Sequence, residues 1–248
     1  MSCIDKIEDW IYKFLRRCQK YTGTDNVYLA KGGFWLTLGQ IVSMAIASLS
    51  AVAFANLLDP TTYGNYRYVL SLLGMLAVFS LDGVGAAANQ AVARGLEGSF
   101  HTGFKIKLKW GLLGSLVAIG AAIYYWNKGN NLLPIPLLIS AVLLPLMYAS
   151  QIYGAFLSGR KLFGVQAGYN IINQIVTAGA IIAALFFTKN LLWLIAVYFV
   201  SRTFLSYFFY LLTEAKFHPN KEKDVKTIGY AKHLSLMSVI NYITLYLD

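Results

Sequence analysis

The 248-residue chain is 57% hydrophobic and only 13% charged, about half the charge of an ordinary soluble domain, which excludes a water-soluble globular protein. Its net charge of +10 would fit a nucleic-acid binder, but Lys and Arg are clustered between long apolar runs, so no nucleic-acid role is expected. Residues 32–58, 110–127, 129–159 and 162–188 contain no charged residue, and each run suits a helix crossing about 30 Å of hydrocarbon.

In chain order, residues 1–31 read as a cytoplasmic segment. Ile4, Ile7, Ile11, Leu15 and Cys18 recur at helical steps among basic residues, the pattern of an amphipathic helix on anionic lipid. A helix packed on other protein would use the same stripe. Cys3 and Cys18 share this segment, where thiols stay reduced, and no metal set can be assembled from them and the scattered histidines.

The first span, about 33–58, carries Gly39, Ser43, Ala47, Ala51 and Ala55 at four-residue steps, a seam along which a second helix can approach closely. Gln40 beside it reads first as a bond between helices. Asp59 to Asn65 reads as a short turn. The second span, within 66–93, holds Asp82 well inside an apolar run. A carboxylate at that depth costs roughly 2.5–3.5 kcal/mol on insertion scales, so it is expected to face a partner or a wet cavity.

A basic loop over 94–109 leads to the third span, about 110–127. The fourth, about 132–157, should kink near Pro145. In the fifth, about 165–187, Gln166, Asn170, Asn173, Gln174 and Thr177 share one helical face; they predict a wet cavity wall, with interhelical bonding as the alternative. The sixth, about 190–213, sets Tyr198, Arg202, Ser206 and Tyr210 at steps of four. A guanidinium forks onto phosphate oxygens and aromatic rings pack on sugar faces, so substrate binding is one reading of Arg202. Neutralisation by Asp82 is the other.

The domain plan is therefore a 1–31 segment, a six-span lobe over 32–213, a cytoplasmic linker over 214–232 and an apolar stretch over 233–248 that begins a seventh span. A helix stopping partway across leaves carbonyls unpaired, so the chain is expected to be incomplete. With the N-terminus inside, seventeen Lys and Arg fall on the inner side against Arg67, Lys128 and Lys189 outside, a strong positive-inside bias that also implies contact with anionic lipids.

Lys31-Gly32-Gly33-Phe34-Trp35, the run from Ala55 to Tyr66, Asp82-Gly83-Val84-Gly85, Ala93-Arg94, Gly159-Arg160 with Asn170 downstream, and Tyr246-Leu247-Asp248 together resemble the oligosaccharide flippases, the polysaccharide export proteins of the multidrug/oligosaccharidyl-lipid/polysaccharide exporter superfamily. The resemblance implies an all-α integral membrane fold. This chain would supply the six-helix N-terminal lobe of a two-lobed flippase and the start of a seventh transmembrane helix, with a second lobe as the missing partner. It further implies lipid-linked oligosaccharide, an O-antigen or exopolysaccharide repeat unit, as cargo flipped across a bacterial inner membrane by alternating access.

The expected substrate-binding residues are Arg202, Asn170, Asn173, Gln174, Tyr198 and Tyr210. Asp82 is expected to be a counter-ion or a coupling site for H+ or Na+. No cofactor, metal or enzymatic activity is expected. A multidrug cation extruder of the same fold would want a more acidic cavity, and a membrane-embedded glycan polymerase or acyltransferase would want a catalytic base or nucleophile at the membrane face.

Overall fold

A computed structural model describes residues 26–222, all of whose regular elements are helical. The expected amphipathic N-terminal helix, the seventh span and the Tyr246-Leu247-Asp248 motif lie outside the described residues.

Helix α1 spans Asn26–Leu57, α2 Pro60–Met75, α3 Asp82–Ala93 and α4 Ser99–Asn127. Helices α5 (Pro134–Ser150) and α6 (Ile152–Gly159) follow, then α7 (Phe163–Phe187) and α8 (Leu191–Phe217). Helices are what apolar runs of this length must form in lipid, since each backbone N–H and C=O has to find its partner within the segment. Five helical stretches are long and apolar enough to span, with α5 and α6 counted together, and α2 with α3 makes a sixth if that bent pair counts as one span.

That sixth stretch is not the continuous rod expected over 66–93. After α2, residues Leu76–Ser80 tighten into a 3-10 turn, Leu81 adopts a left-handed conformation (φ 48°, ψ 66°), and α3 leaves at 45°. The left-handed region costs a leucine about 1–2 kcal/mol. In return, α3 begins at Asp82, whose side chain is left exposed.

Short connections are fixed by side-chain caps. Asp59 accepts the Thr62 N–H at 2.9 Å, with Pro60 at the first helical position, so α2 starts six residues before Tyr66 and the expected turn from Asp59 to Asn65 shrinks to the residues around Asp59. Asn130 accepts from the Leu132 and Leu133 N–H groups before α5, and Asn190 accepts from Leu192 N–H to start α8. Helix α4 begins eleven residues before the expected third span, taking Lys105, Lys107 and Lys109 out of the basic loop and into a helix.

Helices α4 and α5 form the tightest pair. A Cβ on Gly111 would lie 2.8 Å from Pro145 Cα, so glycine alone permits this approach. Pro145 has no N–H to offer Ala141 O, and Ser115 of α4 donates to that carbonyl at 2.5 Å. The helix runs through Pro145 and is interrupted only at Gln151. Elsewhere α1 lies mainly along α7, α8 bridges α5 and α7, and α3 rests on α6. The small seam of α1 serves packing where Gly39 meets Ala167, 3.5 Å from a Cβ position.

The links group at two ends. At one, Arg160 holds Glu97 through two hydrogen bonds of 2.5 and 2.6 Å, and Asn220 donates to Gly95 O and accepts from Glu97 N–H. The Arg160 guanidinium also lies over Phe156 and Phe217. This clasp joins the α3–α4 link, the α6–α7 turn and the chain leaving α8. At the other end Asp59 sits within electrostatic range of Lys189.

Candidate functional site

Between the two ends lies a cavity of about 650 Å³ whose wall is built by α1, α3, α4, α6, α7 and α8. Its size falls within the ~300–1,000 Å³ typical of small-molecule sites. Asp82, Asn170, Asn173, Gln174 and Arg202, five of the residues singled out from sequence, line it together.

The amides of α7 both line the cavity and bridge helices, so the two sequence readings describe one arrangement. Gln166 accepts from Ser158 Oγ (2.6 Å), Asn170 from Tyr153 Oη (3.3 Å), Asn173 donates to Ser206 Oγ (3.2 Å), and Gln174 donates to Ser43 Oγ of α1 (2.7 Å). Each bond uses part of an amide's capacity and fixes its rotamer. Gln40, read from sequence as a bond between helices, is exposed to the cavity.

Asp82 is tolerated at this depth for identifiable reasons. It is the first residue of α3, where the helix dipole favours a negative charge, and it accepts from Ser80 Oγ at 2.9 Å. A cation also lies within electrostatic range, and it is Lys107 of α4. Lys107 is 5% exposed and lines the same cavity. From sequence it belongs to the basic loop over 94–109, whereas the structure places it in α4. Its signal was the spacing Gly103, Lys107, Gly111, which places the lysine on the close-packed face of α4.

Arg202 was read either as a substrate group or as the counter-ion of Asp82. In the structure its guanidinium donates to Tyr198 Oη at 3.1 Å, lies 5.7 Å from that ring's centroid and lines the cavity that also holds Asp82. It therefore sits at the boundary of two cavities, because a second one of about 420 Å³ is lined by Tyr198 and Arg202 with residues of α1, α2 and α7. Tyr198 belongs to this second cavity and does not line the first.

Tyr210 lines neither. It is 6% exposed, stacked on Phe100 (4.8 Å) and Phe104 (4.5 Å), with its hydroxyl 3.3 Å from His101 Nδ1. Tyr210, an expected substrate contact, is thus not brought together with the other site residues, its ring lying near the clasp end of α4 and α8. Asn89 and Gln151, which drew no notice in the sequence, complete the polar wall. Among the described residues no group of three His, Cys, Asp or Glu side chains is placed to hold a metal.

An all-helical bundle of membrane-length helices around a polar, charged cavity defines a multi-pass membrane protein. Residues 29–248 match the family described as polysaccharide biosynthesis protein, and the chain belongs to that family. No curated protein and no solved structure matches it.

Proposed function

We propose that this chain is the six-span unit of a flippase that carries lipid-linked oligosaccharide, an O-antigen or exopolysaccharide repeat unit, from the inner to the outer leaflet of a bacterial inner membrane. In this reading the clasp end and the N-terminus are cytoplasmic, a second lobe closes the open side of the cavity, and transport proceeds by alternating access without enzymatic chemistry. The observation that carries the reading is the meeting of Lys107 and Arg202 with a ring of bridged amides in one cavity inside a membrane bundle of a polysaccharide biosynthesis family.

The physical task fits that wall. An oxyanion cannot enter hydrocarbon unpaired, whereas a cavity with two cations and one acid favours it and disfavours the cationic drugs of an extruder. Amides whose rotamers are already fixed offer their remaining donors and acceptors to sugar hydroxyls at little entropic cost. A polymerase or acyltransferase would need a base beside a nucleophile at the wall, and the titratable lining groups are Asp82, Lys107, Tyr153 and Arg202. Asp82 is the proposed site for a coupling proton or sodium ion.

The test is surface glycan and lipid-linked intermediate in cells carrying Lys107→Gln or Arg202→Ala at wild-type protein level. The expected result is less surface glycan with intermediate accumulating on the inner leaflet, and partial recovery for Lys107→Arg. Normal export in both neutral variants would overturn the assignment. Asp82→Asn under an imposed pH gradient tests the coupling role, where a rate equal to wild type removes it.

A further inference from the structure

The second cavity lies toward the Asp59 end and is chemically unlike the first. Four rings, Phe54, Tyr63, Tyr66 and Tyr198, stand among aliphatic and polar residues in its wall, with Phe54 stacked between Tyr66 (4.8 Å, 20° between planes) and Tyr63 (5.9 Å). Tyr66 lies within electrostatic range of Tyr63, Tyr198 and Arg67, so phenol groups and a guanidinium converge there. Arg67, an exposed residue in the second turn of α2, lines the same cavity as Arg202 and gives it a second cation. Gln174 and Arg202 are the two residues that line both cavities.

We propose that this second cavity is a receiving subsite for a sugar group bearing an oxyanion, held between Arg67 and Arg202 against the rings of its wall, with Arg202 passing the group from the first cavity to the second. The proposal rests on the saccharide-carrier reading above and adds to it a second station within the same lobe. Arg202 suits the transfer because, among the described residues, its fork of donors makes one hydrogen bond, to Tyr198 of its own helix, and the fork's other donors can face either side. The half-buried rings of Tyr63 and Tyr198 suit sugar faces, and Arg67 adds a second guanidinium that the first cavity does not share. The oxyanion could be the diphosphate of a lipid carrier or the carboxylate of an acidic sugar.

Cysteine protection separates these outcomes. In the full chain with Cys3 and Cys18 replaced by Ser, Ala47→Cys reports on the second cavity and Ala86→Cys on the first. Alkylation of each is timed in reconstituted membranes with inorganic pyrophosphate or with glucuronate. The expected result is slowed alkylation at both positions, loss of protection at Ala47→Cys alone on adding Arg67→Gln, and loss at both on adding Arg202→Gln. Protection by pyrophosphate identifies the carrier's diphosphate, and protection by glucuronate an acidic sugar. If Ala86→Cys is protected while Ala47→Cys reacts equally with and without either probe, or stays protected with Arg67→Gln, the subsite is refuted and the first cavity stands. If neither position is protected, both readings fall.

Discussion

Ser115 and Pro145 make a coupled pair whose energetics can be worked from the geometry. The proline deprives Ala141 O of its helical donor, and Ser115 Oγ supplies one at 2.5 Å while sharing a weaker bond with Gly111 O at 3.3 Å. A buried carbonyl left unpaired costs about 1–3 kcal/mol, and interhelical bonds in membrane bundles average ~0.6 with a maximum of ~1.7 kcal/mol. Ser115→Ala should therefore destabilise by about 1–2 kcal/mol. In a Pro145→Ala background the new N–H at position 145 reaches Ala141 O along the helix, and the same serine change should cost about 0.5 kcal/mol or less. The assay is reversible unfolding in mixed micelles by added SDS, followed by circular dichroism, for the four members of the cycle. An equal cost of Ser115→Ala in both backgrounds would refute the idea that the serine repairs what the proline removes.

The clasp predicts an acid-sensitive bundle. The hydrogen bonds from Arg160 hold the Glu97 carboxyl below its ordinary value of 4.5, so its contribution is complete above that value and lost as pH falls through the lowered one. Arg160→Gln should destabilise by roughly 1–2 kcal/mol near neutral pH, and the gap to wild type should close on acidification; a gap that persists in acid contradicts it. Gly159→Ala should cost about 1–3 kcal/mol, because its Cβ would lie 2.7 Å from Asn89 O and Val92 Cβ, whereas Gly168→Ala, with nothing within 4 Å, should be tolerated. Equal melting of the two variants would speak against close packing of α3 on α6. Finally, cysteines placed by Lys128→Cys and Lys216→Cys should be labelled by an impermeant reagent from opposite faces of the membrane, and labelling from one face would break the proposed topology.

Much of this was legible in residue order, and the exceptions have physical reasons. Charge-free runs located the long helices because lipid enforces both length and apolarity. The stripe from Gln166 to Thr177 found the cavity because consecutive steps of three and four stay on one face of α7. The same logic misled at Tyr210. Each four-residue step overshoots a full turn by about 40°, so three steps from Tyr198 rotate a side chain by about 120°. Around α8, Tyr198 thus lines the second cavity, Arg202 both and Ser206 the first, while Tyr210 has turned into an aromatic stack.

Lys107 escaped notice because the KIKLK run looks like a topology signal, and a charge count cannot tell a loop lysine from one a helix has drawn inward. The break at Leu81 left no mark either. No proline or glycine occupies the residue that turns left-handed, and the glycines at 83 and 85 follow it.

Helix α1 is fastened along one flank only. Only 11% of its most apolar window is buried, it lies chiefly on α7, and Gln174 to Ser43 is a polar tie between them. That tie sits level with the threshold between the two cavities. Swinging this rod outward would strip it from α7 and take Phe54 out of its stack with Tyr63 and Tyr66, and it would unroof both chambers at once. With the least buried apolar window of the five long stretches, α1 is the member whose outward movement would join the two spaces.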